Sequence, residues 1–414
     1  MLKFITTEDF SYKRLSAPGI PLILNDSEIP HTVLNNFMFH LVYDQGSVES
    51  IQTLHNYADA LIDYFSWLDA NELSWDDKPR LTQKGKESSN LALYQRWSEK
   101  DYRKPNGYPL SPATINQRTG RVQAFYRWAK DIARLIDWLP YATVLKARPQ
   151  RHPDAFAHMH AKQYVESSSL KLKLPKKLPK LLTMDECRKL LAAPMSKTVR
   201  TMTRLMLGTG IRNEECRTFP RKYVFDPTRL NKHKRIRIKL DPQDMNLKNN
   251  KERVIYMSWQ LMAHLHEYTQ FGEGVERETK YRERLGVMPP MLFLSERGMP
   301  WSEKGLNGTY RKFWTGYKRY GNKYPPFISF RVTPHMLRHT FATNELYHEQ
   351  NMTQNGRKKG IGHALAWVRD RLGHSSIQTT TIYVHCLDIM DDGELNEYQQ
   401  ELDHMMIDEG TYGS

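Results

Sequence analysis

A mainly α-helical fold with a small antiparallel β-sheet, divided into domains, is what the sequence predicts, and three observations predict it. Apolar residues recur at three- and four-residue spacing through most of the chain, the signature of helices with one buried face. Two short segments instead alternate polar and apolar residues, the period of a strand. A lysine- and proline-bearing stretch with no period separates two helical regions, and 414 residues suit two or three domains.

Residues 1–30 hold Pro18, Gly19, Pro21 and Pro30 and show no sustained period, so an extended lead-in is expected there. From 31 to 166 the pattern is helical. Leu54, Tyr57, Ala58, Leu61, Ile62, Phe65 and Leu68 fall on one helix face, and Ser111, Pro112 and Ala113 open another helix in the N-cap then proline arrangement. That second helix carries Ile115, Val122, Phe125, Tyr126 and Trp128 beside Arg118, Arg121, Arg127 and Lys130, charges that suit a solvated face or a DNA-facing one equally.

The stretch 167–180, SSSLKLKLPKKLPK, reads as a basic interdomain linker whose Lys171, Lys173, Lys176 and Lys177 could lie along a phosphate backbone. Thr183 and Glu186 then form a capping box that starts a second domain, expected over 181–390. Within it, 234–240 and 253–257 alternate as paired strands, and helical patterns cover 199–207, 259–270, 303–318, 334–347 and 364–372. The tail, 391–414, has acidic residues and no Lys or Arg. Leu395, Tyr398, Leu402 and Met405 give it helical spacing, so it is either a frayed, solvated terminus or an amphipathic helix of charge opposite to that of the body.

Composition narrows the function. Apolar residues make up 39% of the chain and aromatics 11%, enough for packed cores, and no apolar run approaches the ~18 residues of a membrane span. The amino-terminal residues lack a secretion pattern, so a cytoplasmic, nucleoid-associated location is expected. Cys187, Cys216 and Cys386 are too dispersed for a zinc site or a disulfide framework. Sixty-one Lys and Arg against 46 Asp and Glu leave a formal charge of +15, which points to a polyanion such as nucleic acid. Familiar nucleotide motifs fail: Gly208 and Gly210 lack a third glycine, and no P-loop is present. His335 and His339 are spaced as in zinc proteases, but Met336 stands where the glutamate base should be.

Five segments of the second domain stand out in order: GTGIRNEE at 208–215, NLKNNKERVIYMS at 246–258, LFLSERGMPWS at 292–302, TPHMLRHTFAT at 333–343 and LGHSSIQTTTIYVH at 372–385. In these the chain resembles the tyrosine recombinase (phage integrase) family over roughly 180–390, and TLHNYADALIDYFSWL and SPATINQRTGRVQAFYRWA look like that family's helical core-site-binding domain. The resemblance implies a core-binding domain followed by a catalytic domain, the two clamping duplex DNA. It implies that Arg212 and Arg338 grip the scissile phosphate, that Tyr383 attacks phosphorus, that His335 assists proton transfer at Tyr383, that His374 hydrogen-bonds the phosphate, and that Lys248 protonates the leaving 5′-oxygen. Lys251 competes with Lys248 for that last role. Glu215 would orient its neighbours. Tyr347 and Tyr398 are rival nucleophiles without a preceding LGH, and His363 copies His374 at the wrong distance, which suggests a loop residue.

The implied activity is site-specific strand cleavage and rejoining through a 3′-phosphotyrosine, without ATP, metal or other cofactor. The implied partners are double-stranded recombination sites, bound by a homo-tetramer across two DNAs, with accessory DNA-bending or directionality proteins and a mobile genetic element as the setting. A transposase-like or dimer-resolving recombinase is the near alternative. A catalytically inactive DNA-binding regulator is the distant one. The segment 348–363 is longer than expected for the resemblance, and Arg357, Lys358 and Lys359 there lean towards DNA.

Overall fold

In the computed structural model, which describes residues 1–44, 50–81, 87–147, 164–175, 178–316, 326–354, 357–387 and 403, the chain forms two compact units, Met1–Lys176 and Lys177–Ser414. Their boundary falls inside the basic stretch 167–180. No helix among the described residues is long and apolar enough to cross a membrane.

The first unit starts with strands β1 (Leu2–Ile5), β2 (Ser11–Tyr12), β3 (Leu15–Ser16) and β4 (Pro21–Leu24), which pair antiparallel as β1 with β4 and β2 with β3. Residues 1–30, expected as an extended lead-in, are thus strand-forming and part of the first unit: Ala17, Ile20 and Ile23 are buried in its core. Strands this short, interrupted by turns, leave no period to detect. Helices α1 (Thr32–Phe39), α2 (Ile51–Ala70), α3 (Asn90–Lys100) and α4 (Pro112–Asp131) supply the rest of that core. Leu54, Ala58, Leu61, Phe65 and Leu68 of α2 meet Val122, Phe125 and Trp128 of α4. The buried hydroxyls of Tyr64 and Tyr126 lie 2.8 Å apart, and Tyr126 donates on to the Trp75 carbonyl, so neither polar tip is stranded. Strands β5 (Arg80–Leu81) and β6 (Glu87–Ser88) pair with each other, as do β7 (Thr143–Ala147) and β8 (Tyr164–Ser168). Past β8, the Asn116 side chain of α4 both donates to and accepts from Leu172, so the first part of the basic stretch is docked rather than loose.

The second unit opens with the capping box: Thr183 accepts from the Glu186 amide, and the Glu186 carboxylate accepts from Thr183, starting α5 (Met184–Ala192). Then come α6 (Lys197–Thr209) and α7 (Asn213–Arg217), an antiparallel pair of β9 (Ile236–Leu240) and β10 (Arg253–Met257), and helices α8 (Trp259–Gln270), α9 (Glu273–Leu285), α10 (Gly305–Thr315), α11 (Pro334–Asn351), α12 (Gly360–Leu372), α13 (Ile377–Thr381) and α14 (Val384–Leu387). The short strands β11 (Thr353–Gln354) and β12 (Arg357–Lys358) form a hairpin between α11 and α12. Much of the extra length in 348–363 is thus helix and hairpin. Lys359 is held inside the unit, 3.2 Å from the Glu349 carboxylate, rather than turned out towards a ligand. His363 lies within α12, stacked on Trp367, and is not a loop residue. All three cysteines are buried thiols.

Helix α11 is buried on most of its surface and packs against α6 and α12. Three element ends consequently meet around it: the carboxyl end of α6, the amino end of α11 itself, and the carboxyl end of α12.

Candidate active site

Each of those ends is fixed by a local signal. Helix α6 stops at Gly210 in the left-handed region (φ +65°), and a Cβ there would come within 2.2 Å of the Phe341 ring. Only glycine permits both the turn and the close approach. The turn delivers Arg212 to the start of α7, where Glu215 accepts from the Arg212 amide at 2.6 Å and from its Nη1 at 2.9 Å. Thr333 caps α11, with Pro334 at the first helical position, which sets the direction of His335, Arg338 and His339. Helix α12 ends at Gly373, again left-handed (φ +62°), and the chain turns to present His374.

The residues singled out from the sequence come together here. Arg338 is 2% exposed and donates from Nη1 to the Gly210 carbonyl and from Nη2 to that of Leu372, both at 2.6 Å. Burial and the nearby Arg212 lower its pKa to about 9, which leaves it charged at neutral pH. Arg212 donates from Nη2 to the Gly373 carbonyl at 3.2 Å. Lys248 stands in the turn between β9 and β10. Arg212, Lys248, Lys251, Arg253, Gly373 and His374 all line one open cavity of about 200 Å3, so both lysine candidates border it. A cavity ringed by that many cations suits a phosphate group.

Tyr383 is 1% exposed and sits in the turn between α13 and α14, its ring stacked 6.3 Å from that of His374. Its hydroxyl lies 2.9 Å from Nδ1 of His339. His335, expected to serve Tyr383, instead packs its ring against His339 at 4.4 Å, so the imidazole in contact with the phenol is the one a helical turn further on. Burial raises the Tyr383 pKa to about 12 despite the opposing pull of Arg338. Burial lowers His339 to about 4 and His374 to about 3, and neighbouring cations add to both shifts. At neutral pH the site therefore holds a protonated phenol beside a neutral imidazole. His374 Nδ1 lies 3.0 Å from the Thr380 hydroxyl.

Two residues of this cluster escaped the sequence reading. His339 is one; in sequence its spacing of four from His335 suggests only a metal pair. The other is Arg253 on β10, 8% exposed, whose Nη1 and Nη2 donate to the two oxygens of Glu215 and whose Nε donates to the Arg371 carbonyl at 2.9 Å. Burial would raise the Glu215 pKa, but Arg253 and Arg212 overcome it and hold the carboxyl at about 2.

In the first unit the expected DNA contacts divide. Arg118 is paired with Asp63 at 2.7 Å, and Arg121 lies over the Tyr57 ring. Arg127 and Lys171 line a shared cleft beside α4, and Lys173 is exposed. Lys176, Lys177 and the tail residues Leu395, Tyr398, Leu402 and Met405 lie outside the described residues.

Residues 180–389 match the sequence model of the phage integrase family. The chain is 31% identical over 227 residues to the tyrosine recombinase XerD of Staphylococcus epidermidis, covering 51% of this chain and 60% of that protein. It is 26% identical over 242 residues to the tyrosine recombinase XerD of Listeria innocua, covering 55% of this chain and 66% of that protein. The matches thus span less than two thirds of these relatives. Among solved structures, the Tn1549 transposon integrase in complex with a circular intermediate DNA aligns with a TM-score of 0.50 at 16% identity, covering 85% of this chain and 94% of that one, a likeness of fold.

Proposed function

Since the chain belongs to the phage integrase family, we propose that it is a site-specific DNA recombinase that cuts and rejoins strands through a covalent bond between Tyr383 and a 3′-phosphate. The observation that carries this reading is the 2.9 Å contact between the Tyr383 hydroxyl and His339, one residue after Arg338 on α11.

In the first step Tyr383 Oη attacks phosphorus, its proton passing to the neutral His339 ring. The P–O5′ bond breaks, Lys248 protonates the departing oxygen, and the phosphorus stays bonded to Tyr383 Oη while its 3′-oxygen keeps it on the cleaved strand. Arg212 balances the charge that gathers on the non-bridging oxygens, with His374 donating to the same group; Arg338, buried with Nη1 and Nη2 on the Gly210 and Leu372 carbonyls and set back from the cavity, joins them once the site rearranges around the phosphate. Reversal with a different 5′-hydroxyl joins new partners, and the phosphotyrosine bond retains the energy that rejoining needs. Tyr383 is almost wholly buried and does not border the cavity, so its oxygen meets a phosphate only after α13 and α14 shift.

Double-stranded DNA is the proposed substrate, supported by the +15 charge of the chain and by the cations around the cavity. Arg127, Lys171, Lys173, Lys176 and Lys177, with Arg118 and Arg121 where their present partners release them, are the proposed contacts outside the catalytic cluster. The proposed working form is a tetramer spanning two DNA sites, in the cytoplasm on the nucleoid, with residues 31–166 as core-site-binding domain, 181–390 as catalytic domain and the tail 391–414 docking between protomers.

The test uses a duplex that the protein itself selects from a random-sequence pool, prepared as a set with nicks at successive positions so that cleavage traps the strand. The wild-type protein is expected to form a denaturant-resistant DNA adduct and Tyr383→Phe none. Tight binding by both with no adduct from either would leave only a DNA-binding protein.

A further inference from the structure

Glu215 carries a full negative charge at 1% side-chain exposure, and two arginines contend for it. Arg253 takes both carboxylate oxygens with its planar fork, its side chain only 6% exposed, while Arg212 reaches one of them through a single side-chain nitrogen and keeps 25% of its side chain exposed. All three Arg253 nitrogens are engaged by Glu215 and the Arg371 carbonyl. Arg253 therefore borders the cavity without being its phosphate grip, whereas Arg212 keeps donor capacity turned to the open side. The same side chain meets the turn that presents His374: a Cβ at Gly373 would lie 2.9 Å from Arg253 Cδ.

Resting on the recombinase reading, we propose that Arg253 is a positioning residue: by neutralising Glu215 it leaves Arg212 available to the scissile phosphate, and through Arg371 it ties the Gly373–His374 turn to the lysine-bearing hairpin. Without Arg253, the side-chain cation left within hydrogen-bonding distance of the buried carboxylate, among the described residues, is Arg212. A guanidinium and a carboxylate at that range close into a two-bond fork. Arg212 would then turn inwards and lose much of its charge to Glu215. Arg338 also faces this carboxylate, but its nitrogens are held by backbone carbonyls. Lysine at 253 could supply a charge but not both bonds, so it would restore the arrangement only in part.

The inference is tested first on the DNA-free, full-length protein by labelling arginines with phenylglyoxal and mapping Arg212 by mass spectrometry. Arg253→Met is expected to lower Arg212 labelling several-fold relative to wild type. Arg253→Lys should give an intermediate value, and Glu215→Gln with Arg253→Met should recover it. On the nicked duplexes the Arg253→Met adduct rate is expected to fall on the order of 10- to 100-fold while DNA affinity stays within about twofold. Unchanged Arg212 labelling in Arg253→Met, or in Arg253→Lys should the first variant fail to fold, overturns the proposal, as does a drop in affinity that matches the drop in rate. A wild type that labels at Arg212 but forms no adduct sinks the cleavage reading, while the labelling still decides the role of Arg253.

Discussion

His339 Nδ1 and Tyr383 Oη lie 2.9 Å apart although 44 positions separate them in the chain. The phenol is held at about 12 and the imidazole at about 4, so at neutral pH the proton rests on Tyr383 with an acceptor already in contact. Replacing His339 with Gln keeps a polar side chain but removes the imidazole nitrogen that is placed to take the proton. Adduct formation is expected to slow by about 100-fold or more, and His335→Gln to slow it less. Single-turnover adduct kinetics check this, and equal losses for the two variants would return the role to His335.

Acid should weaken the fold in two windows. His339 and His374 have native pKa values depressed from 6.5 to about 4 and about 3, so the unfolded chain binds their protons first and stability falls as pH drops below about 6.5. Glu215 is depressed from 4.5 to about 2, and its contribution disappears as pH falls through that lower range. Chemical denaturation at a series of pH values would show the decline beginning near pH 6.5. His339→Gln should flatten the upper part of the curve, and an unaltered curve would contradict the assignment.

Glu215→Ala leaves Arg253 and Arg212 without their shared counter-charge. Removing one partner of a buried ion pair costs about 3–5 kcal/mol, so the midpoint of denaturation should fall accordingly. A cost below about 1 kcal/mol, the range of a surface pair, would mean that water already reaches the cluster.

Gly210→Ala combines a strained left-handed φ with a Cβ only 2.2 Å from the Phe341 ring. The substitution sits two residues before Arg212, so loss of thermal stability and loss of adduct formation should appear together. An alanine variant as stable and active as wild type would show that Phe341 can yield and that the turn does not set Arg212.

The sequence disclosed helices wherever one face is apolar, as in α2, α4 and α8. Helix α9 escaped because GVERETKYRERL is charged on nearly every side, and only Arg277 and Tyr281 are buried from it. Strands β1 to β6 escaped because they are only two to four residues long. Within the site, Arg212, Arg338, His374 and Tyr383 were legible because each belongs to a short contiguous motif. Arg253 also lies in such a motif, 246–258, but its role was not legible there, since its partner Glu215 lies 38 residues away and only the β10 register brings the two together. The state of Arg118 was equally hidden: whether a helix arginine faces solvent or an internal Asp63 depends on how α2 and α4 pack.

The most direct test of the whole account is the identity of the residue that holds the DNA. The adduct formed by the wild-type protein on the nicked duplex should be digested with protease and nuclease and the remaining nucleotide located by mass spectrometry. The account predicts a 3′-nucleotide on the phenolic oxygen of Tyr383. A nucleotide on Tyr347, Tyr398 or any other side chain would contradict it.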